Sequence, residues 1–331
     1  MQAYAIGIDL GGTKIKGALV GRVDGLVMEA DAPTEAEQGP AHVIDQVVKV
    51  IKGLVASDTS LRVRGIGVGV PGTIGDDRAV VPYLSNLPGW TDINLRQEIN
   101  DRTDFENLPV IVENDANVAG LGSAHYGAGR PFDSFIMITL GTGVGGAIIH
   151  NNRIFRGMTG GAGEIGHVTI DYVGPYDRSG IAGALEGYIG QRFMSHHARL
   201  RMLSQTDSLI HQMAGDDLEG LTPKMLFEAA QEGDQVARDM LAWAGHKLGV
   251  ALGSCVNLLD VRKFVVGGGV SAAGDYVLDP VRRTITDYVI PSLRDGIEII
   301  RETRGNEVGM LGAAHLIFQH LDAHAPSGSG S

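Results

Sequence analysis

The sequence predicts an α/β fold of two related halves. Three observations predict it. Short β-like runs end again and again in glycine-rich corners. The segment Ile8-Asp-Leu-Gly-Gly-Thr…Gly17-Ala-Leu-Val20 returns in kind, with one residue of slack, as Ile138-Thr-Leu-Gly-Thr-Gly…Gly146-Ala-Ile-Ile149. Stretches of helical periodicity separate the β-like runs.

In chain order, Tyr4 to Asp9 reads as a strand that ends on an acid, Gly11-Gly12-Thr13-Lys14 turns, and Ile15 to Val20 returns. Asp24-Gly25 turns again before Leu26 to Met28, which completes a meander. Pro40 opens a helical pattern with Val43, Val47, Ile51 and Leu54 on one face. Arg64 to Val70 is a strand that stops at Pro71-Gly72, and Pro109 to Val112 is another that runs into Glu113-Asn-Asp-Ala-Asn117. Ala116 to Tyr126 reads as helix. The second half opens with Phe135 to Leu140, the corner Gly141-Thr-Gly-Val-Gly-Gly146, a return over Ala147 to Ile149, an Asn151-Asn152 turn and Arg153 to Phe155. A long helix follows from Asp234 to Leu259, with Val236, Met240, Trp243, Leu248, Leu252 and Val256 apolar. Phe264 to Val270 is a strand ending in glycines, matching Ile66 to Gly72, and Gly309 to Leu321 is a last helix that packs back on the first half. The expected division is residues 1–115 with the helix at about 309–322, then residues 116–308, then a disordered tail at 323–331.

Composition excludes several classes. The chain has 27 Lys+Arg against 39 Asp+Glu, a formal charge of −12. A nucleic-acid binder or an anionic membrane surface asks for the opposite sign. The one cysteine, Cys255, cannot close an internal disulfide, which fits a reducing compartment. Asp9, Lys14 and Lys16 break the first apolar run, so no signal peptide is expected there, and no apolar run is long enough for a membrane helix. A cytoplasmic protein is expected.

Two segments fit G-x-G-x-x-G, at Gly67 to Gly72 and Gly141 to Gly146, but a turn follows the first and a β-run follows the second. A dinucleotide site needs a helix there, so that reading fails. What remains is three glycine-rich corners at strand ends, residues 11–13, 141–146 and 267–269. Each alone reads as a tight turn. Three, in repeated halves, suit backbone N–H groups approaching phosphate oxygens in a nucleotide cleft between two lobes.

Four blocks together resemble the ROK family of sugar kinases: Asp9-Leu-Gly-Gly-Thr-Lys14, Glu113-Asn-Asp-Ala-Asn117, Leu140-Gly-Thr-Gly-Val-Gly-Gly146 and Gly160-Gly-Ala-Gly-Glu-Ile-Gly-His167. The resemblance implies an actin-like fold of two ribonuclease-H-like lobes with ATP and Mg²⁺ in the cleft, a homodimer, and transfer of phosphate to a hexose hydroxyl. It implies that Asp115 is the general base, although the residues alone also suit a helix N-cap. Gly72, Asn86, Asn114, Glu164, His167 and Glu186 fall where the family binds sugar. Asp9, Gly11, Gly12, Thr13, Lys14, Gly141, Thr142, Gly143, Gly267 and Gly268 fall where it binds the nucleotide. Trp90, His125, His196, His197 and Cys255 read as core or surface residues.

The sequence departs from the family in one block. Many members carry Cys-x-Cys-Gly-x-x-Gly-Cys-x-Glu, whose thiolates bind zinc with the motif histidine. Here Asp177, Ser179 and Ala184 stand at the cysteine positions, while Gly180, Gly183 and Glu186 are kept. No tetrahedral zinc site is expected. The substrate expected is glucose, with fructose, mannose or an N-acetylhexosamine as alternatives and polyphosphate as an alternative donor. A sugar-sensing repressor of the same family carries a helix-turn-helix before the first strand, which residues ahead of Tyr4 do not supply here, and a sensor has no use for a base at Asp115.

Overall fold

The structure is a computed structural model, and it describes residues 2–57, 60–84, 87–103, 105, 108–215 and 218–325. The chain divides into two compact units: Met1–Asp133, Ala147–Ala162 and Arg304–Ser331 form the first, Ser134–Gly146 and Gly163–Thr303 the second.

The opening meander is β1 (Tyr4–Leu10), β2 (Lys14–Gly21) and β3 (Gly25–Pro33). Then come α1 (Pro40–Ser57), β4 (Val63–Val70), the short antiparallel pair β5 (Val80–Tyr83) and β6 (Thr91–Asn94), α2 (Leu95–Arg102), β7 (Val110–Asn114) and α3 (Asp115–Tyr126). The second meander is β8 (Phe135–Leu140), β9 (Val144–His150) and β10 (Arg153–Ile154). Four shorter helices follow: α4 (Glu186–Ile189), α5 (Gln191–Met202), α6 (Leu209–Ala214) and α7 (Pro223–Gln231). The long α8 (Gln235–Leu259), β11 (Lys263–Gly267), α9 (Asp275–Ile285), β12 (Glu298–Arg301) and α10 (Glu307–Ala323) complete the order.

The repeat read in the sequence is a repeat of topology. One five-stranded sheet runs β3-β2-β1-β4-β7 and the other β10-β9-β8-β11-β12. In each, a meander supplies three strands and two further strands add in parallel: β4 and β7 on β1, β11 and β12 on β8.

In the first unit the pleat of β1 sorts its side chains between two cores. Ile6, Ile8 and Leu10 join a cluster with Val43, Val47, Ile51 and Leu54 of α1. Ala5 joins the other cluster, with Val118 and Leu121 of α3 and Leu311, Ala314 and Phe318 of α10. This is the period of two that a strand covered on both faces requires. Trp90 is buried in the α1 cluster. Glycine lets α10 lie directly on the sheet: a Cβ at Gly67 would run into Ala313 O, and one at Gly312 into Val118 O of α3.

That packing explains where the chain divides. The sequence reading gave residues 116–308 to the second half, but α3 packs against α10, and with the Ala147–Ala162 segment it stays in the first unit. In the second unit Asp234 caps α8 by accepting from Ala237 N–H at 2.8 Å and also takes Ser208 Oγ and Leu209 N–H, both at 2.7 Å. Burial alone raises the Asp234 pKa, but these donors prevail and hold it below the ordinary carboxylate range.

A histidine pair between α3 and α10 ties stability to pH. His125 and His315 stack with centroids 3.5 Å apart, and His315 Nδ1 lies 3.1 Å from Tyr126 Oη. Burial, aided by the His125 and Arg22 charges, pushes the His315 pKa from 6.5 down to about 3. Across that window the unfolded chain binds a proton that the folded chain refuses, so stability falls as pH drops below about 6.5. His315→Gln keeps an amide for Tyr126 and cannot be charged. Its urea midpoint is expected to fall less than the parent's between about pH 7.5 and about pH 5. Equal losses in the two proteins would refute the assignment.

Candidate active site

In the first unit three parallel strands end side by side. Asp9 pairs with Gly69, Gly69 with Glu113, and Val70 with Asn114. Asp9, the Gly72 turn and Asn114-Asp115 therefore gather at carboxyl ends of adjacent strands, where open α/β sheets bind ligands. Asp9 is part-buried and its carboxylate makes no hydrogen bond or ion pair among the described residues. Burial raises its pKa, with Lys16 pulling the other way. After it, Gly11 N–H donates to Lys14 O at 3.1 Å, and Thr34 fastens the corner through its Oγ1 to Gly11 O at 2.7 Å and its N–H to Thr13 O at 3.0 Å. Gly12, Thr13 and Lys14 are exposed, and the Lys14 ammonium pairs with Asp31 at 2.9 Å.

Asn114 caps α3. Its Oδ1 accepts from Asn117 N–H at 3.0 Å, and its Nδ2 donates to Gly72 O at 3.1 Å. That decides one alternative from the sequence: the capping duty falls to Asn114. Asp115 is the first helical residue, part-buried, with Oδ1 accepting from Ala116 N–H at 2.8 Å. Gly72, at φ +88°, brings its carbonyl to Asn114 in a conformation that other residues rarely adopt.

Beneath this pair lies Glu113, which is fully buried. Its Oε2 accepts from Arg78 at 2.7 Å and Arg156 Nε at 3.0 Å, and its Oε1 from Asn114 N–H at 3.0 Å and Asn117 Nδ2 at 3.1 Å. Arg156 also donates to Ile74 O, Gly75 O and Asp76, so one guanidinium straps the turn after Gly72 to the strand end that carries Asn114. The sequence reading did not single out Glu113, Arg78 or Arg156. A carboxylate closing an apolar strand was a signal that something must pair with it. The partners themselves lie 35 and 43 residues away and have no local signature.

In the second unit β8 and β11 end together, Thr139 beside Gly267. Gly268, at φ +84°, lies against Leu140, and a Cβ there would overlap its carbonyl. Gly141 N–H donates to Gly143 O at 3.0 Å, and Thr142 is exposed at the tip. Glu186, expected on the sugar, accepts from Val144 N–H at 3.0 Å and so braces this corner with one oxygen. Glu164 is exposed and makes no side-chain hydrogen bond among the described residues. His167, in the turn Ile165–His167, is 30% exposed and directs Nδ1 at Asp177 Oδ2, 2.7 Å away. Asn86 lies outside the described residues.

The residues at the zinc positions do not fit zinc. Ala184 offers no donor atom and is fully buried, with its backbone bridged to Thr169. The Asp177 carboxylate is occupied instead: Oδ1 accepts from Ser179 and Ile181 N–H, each at 2.9 Å, and Oδ2 faces His167.

The sequence pattern of the ROK family matches residues 5–320. The chain belongs to the ROK family. A glucokinase of Halalkalibacterium halodurans is 37% identical over 323 residues, 96% of this chain and 95% of that protein. A glucokinase of Thermotoga maritima is 31% identical over 96% of this chain and 98% of its own length. The crystal structure of a ROK family glucokinase from Streptomyces griseus in complex with glucose and AMPPNP superposes with a TM-score of 0.82 at 33% identity, covering 96% of this chain and 99% of that one. Solved ROK hexokinases, such as that of Thermus thermophilus at 28% identity, have the same fold. In ROK terms, the first unit holds the acid-ended strand and the Glu-Asn-Asp block, and the second holds the glycine corner with Glu164 and His167. Among the described residues no helix is long and apolar enough to cross a membrane.

Proposed function

We propose that the protein is an ATP-dependent glucokinase, in which Asp115 removes the proton of the glucose 6-hydroxyl as that oxygen attacks the γ-phosphorus of ATP. The observation that carries this reading is Asp115 itself. It stands at a strand-to-helix junction of a ROK chain and is relieved of capping by Asn114. A carboxylate so placed can take a hydroxyl proton.

Phosphoryl transfer depends mostly on positioning and on charge stabilisation. The exposed carboxylate of Glu164 and the part-exposed ring of His167 suit sugar hydroxyls, as acceptor and as donor or acceptor. Asn114 retains one amide hydrogen and one lone pair beyond its two protein bonds. The corners at 11–13, 141–143 and 267–268 offer backbone N–H groups to phosphates. Asp9, a part-buried carboxylate with no hydrogen bond or ion pair among the described residues, fits a hydrated Mg²⁺, whose chemistry is to neutralise the phosphate charge that builds up in transfer. We place the protein in the cytoplasm, as a homodimer.

Names of relatives support glucose, and single hydroxyl or acetamido differences separate it from the alternatives. A coupled assay over glucose, fructose, mannose, N-acetylglucosamine and N-acetylmannosamine, each with ATP and with polyphosphate, is the test. Glucose with ATP is expected to give a kcat/KM at least about tenfold above any other pair. A higher value for another sugar would overturn the substrate, and a preference for polyphosphate would overturn the donor.

A further inference from the structure

The loop between His167 and Glu186 poses a question of order. It has no metal-binding set, yet it runs between two residues, His167 and Glu186, expected on the sugar. Its backbone is held by Ile170 N–H to Gly183 O, Gly183 N–H to Pro175 O and Leu185 N–H to Val168 O, and Tyr188 Oη donates to Asp171 at 3.0 Å. Those bonds fix the chain, but none of them fixes the imidazole of His167. Among the described residues only one group does. The Asp177 side chain is fully buried: two backbone N–H groups donate to Oδ1, and the His167 ring nitrogen Nδ1 lies 2.7 Å from Oδ2.

An ionised carboxylate only accepts hydrogen bonds. Burial works against the Asp177 charge, but the Ile181 and Ser179 N–H groups and the His167 ring together hold its pKa below the ordinary carboxylate range. Nδ1 of His167 must therefore carry a hydrogen. Nε2 has no partner among the described residues, and it is the nitrogen of the ring left for a ligand. Fixing one ring nitrogen from behind is what sets the hydrogen-bond role of the other.

We propose that Asp177 is the positioning residue for His167: it locks the ring orientation and the Nδ1–H form, and so presents Nε2 as a hydrogen-bond acceptor to a sugar hydroxyl. The proposal rests on the glucokinase reading for the identity of the sugar, and on the His167–Asp177 contact for everything else.

The test is Asp177→Asn. The amide oxygen must stay on the Ser179 and Ile181 N–H groups, which turns the NH₂ toward Nδ1. Nδ1 then becomes an acceptor and Nε2 a donor, while the loop keeps its backbone bonds. The readouts are the His167 tautomer, from ¹H–¹⁵N correlations of the ring at about pH 8, where a free imidazole is neutral, and steady-state kinetics with Mg²⁺-ATP.

In the parent, Nδ1–H is expected, and in Asp177→Asn, Nε2–H. The glucose KM of the variant is expected to rise at least about tenfold, the usual cost of removing an orienting partner, with kcat and the ATP KM changing by less than about threefold and the thermal midpoint retained. Asp177→Ala, which also frees the two N–H groups, is expected to lower the thermal midpoint as well. Chelation followed by restoring Mg²⁺ is expected to leave the parent's glucose KM unchanged. The proposal is overturned by an Nε2–H form in the parent, by an unchanged glucose KM in Asp177→Asn, or by a loss on chelation that zinc restores. A parent that shows the Nδ1–H form and does not phosphorylate glucose would instead overturn the glucokinase reading and leave the positioning role standing.

Discussion

Asp115→Asn is expected to lower kcat by about a hundredfold to ten-thousandfold while the glucose Kd stays within about threefold. The substitution is nearly isosteric. Its amide oxygen can still accept from Ala116 N–H, as Asp115 Oδ1 does at 2.8 Å, and the α3 cap belongs to Asn114, which is untouched. What is lost is the capacity to take a proton and the charge that favours its transfer. Because the interaction matters as the hydroxyl ionises, the loss should appear in kcat rather than in binding. Calorimetry of glucose binding beside a coupled assay separates the two. A variant that retains more than about a tenth of the parent kcat removes Asp115 from the role of base.

The largest effect on folding is expected at Glu113. Its carboxylate is fully buried and accepts four hydrogen bonds, two from guanidinium groups. Glu113→Ala takes the carboxylate from Arg78 and from two neutral donors, and leaves Arg156 with Asp76 and two carbonyls; removing one member of a buried ion pair costs about 3–5 kcal/mol. Arg78 and Arg156 are 29% and 15% exposed, so water recovers part of their loss and the lower end of that range is expected. Glu113→Gln keeps two acceptor lone pairs but turns an NH₂ toward one set of donors, so an intermediate loss is expected. Urea unfolding measures both. Since Glu113 also anchors the Asn114 N–H and, through Arg156, the turn after Gly72, the surviving folded enzyme should bind glucose more weakly. If Glu113→Ala unfolds at the parent's urea midpoint, the buried pair contributes nothing.

The parts legible in the sequence were those in which local chemistry and fold agree. The acid-ended strand Tyr4–Leu10, the Val43, Val47, Ile51 face of α1, and the Asp234 start of α8 each carry their own signal in periodicity, turn residues or cap. The duplicated meander was legible because glycine-rich corners repeat with the strands. The helices between His167 and Asp234 were not, because α4 to α7 are short and their apolar residues give little periodicity over so few turns. The strand β12 has four residues and gains its identity only by lying beside β11. At the site, the glycines, Asn114, Asp115 and Glu164 could be located by motif. That Asn114 caps, that Glu186 braces Val144 and that Asp177 holds His167 depended on pairings across loops, which spacing alone does not reveal.

The placing of α10 carries a consequence for synthesis. The helix that seals Ala5, Ala18, Val20 and Ile111 leaves the ribosome about 300 residues after the strand it covers. Until then that face of the earliest sheet has only α3 against it. The nascent first unit must therefore wait, shielded by chaperones or by its own transient collapse, while the whole of the second unit is made and is free to fold ahead of it.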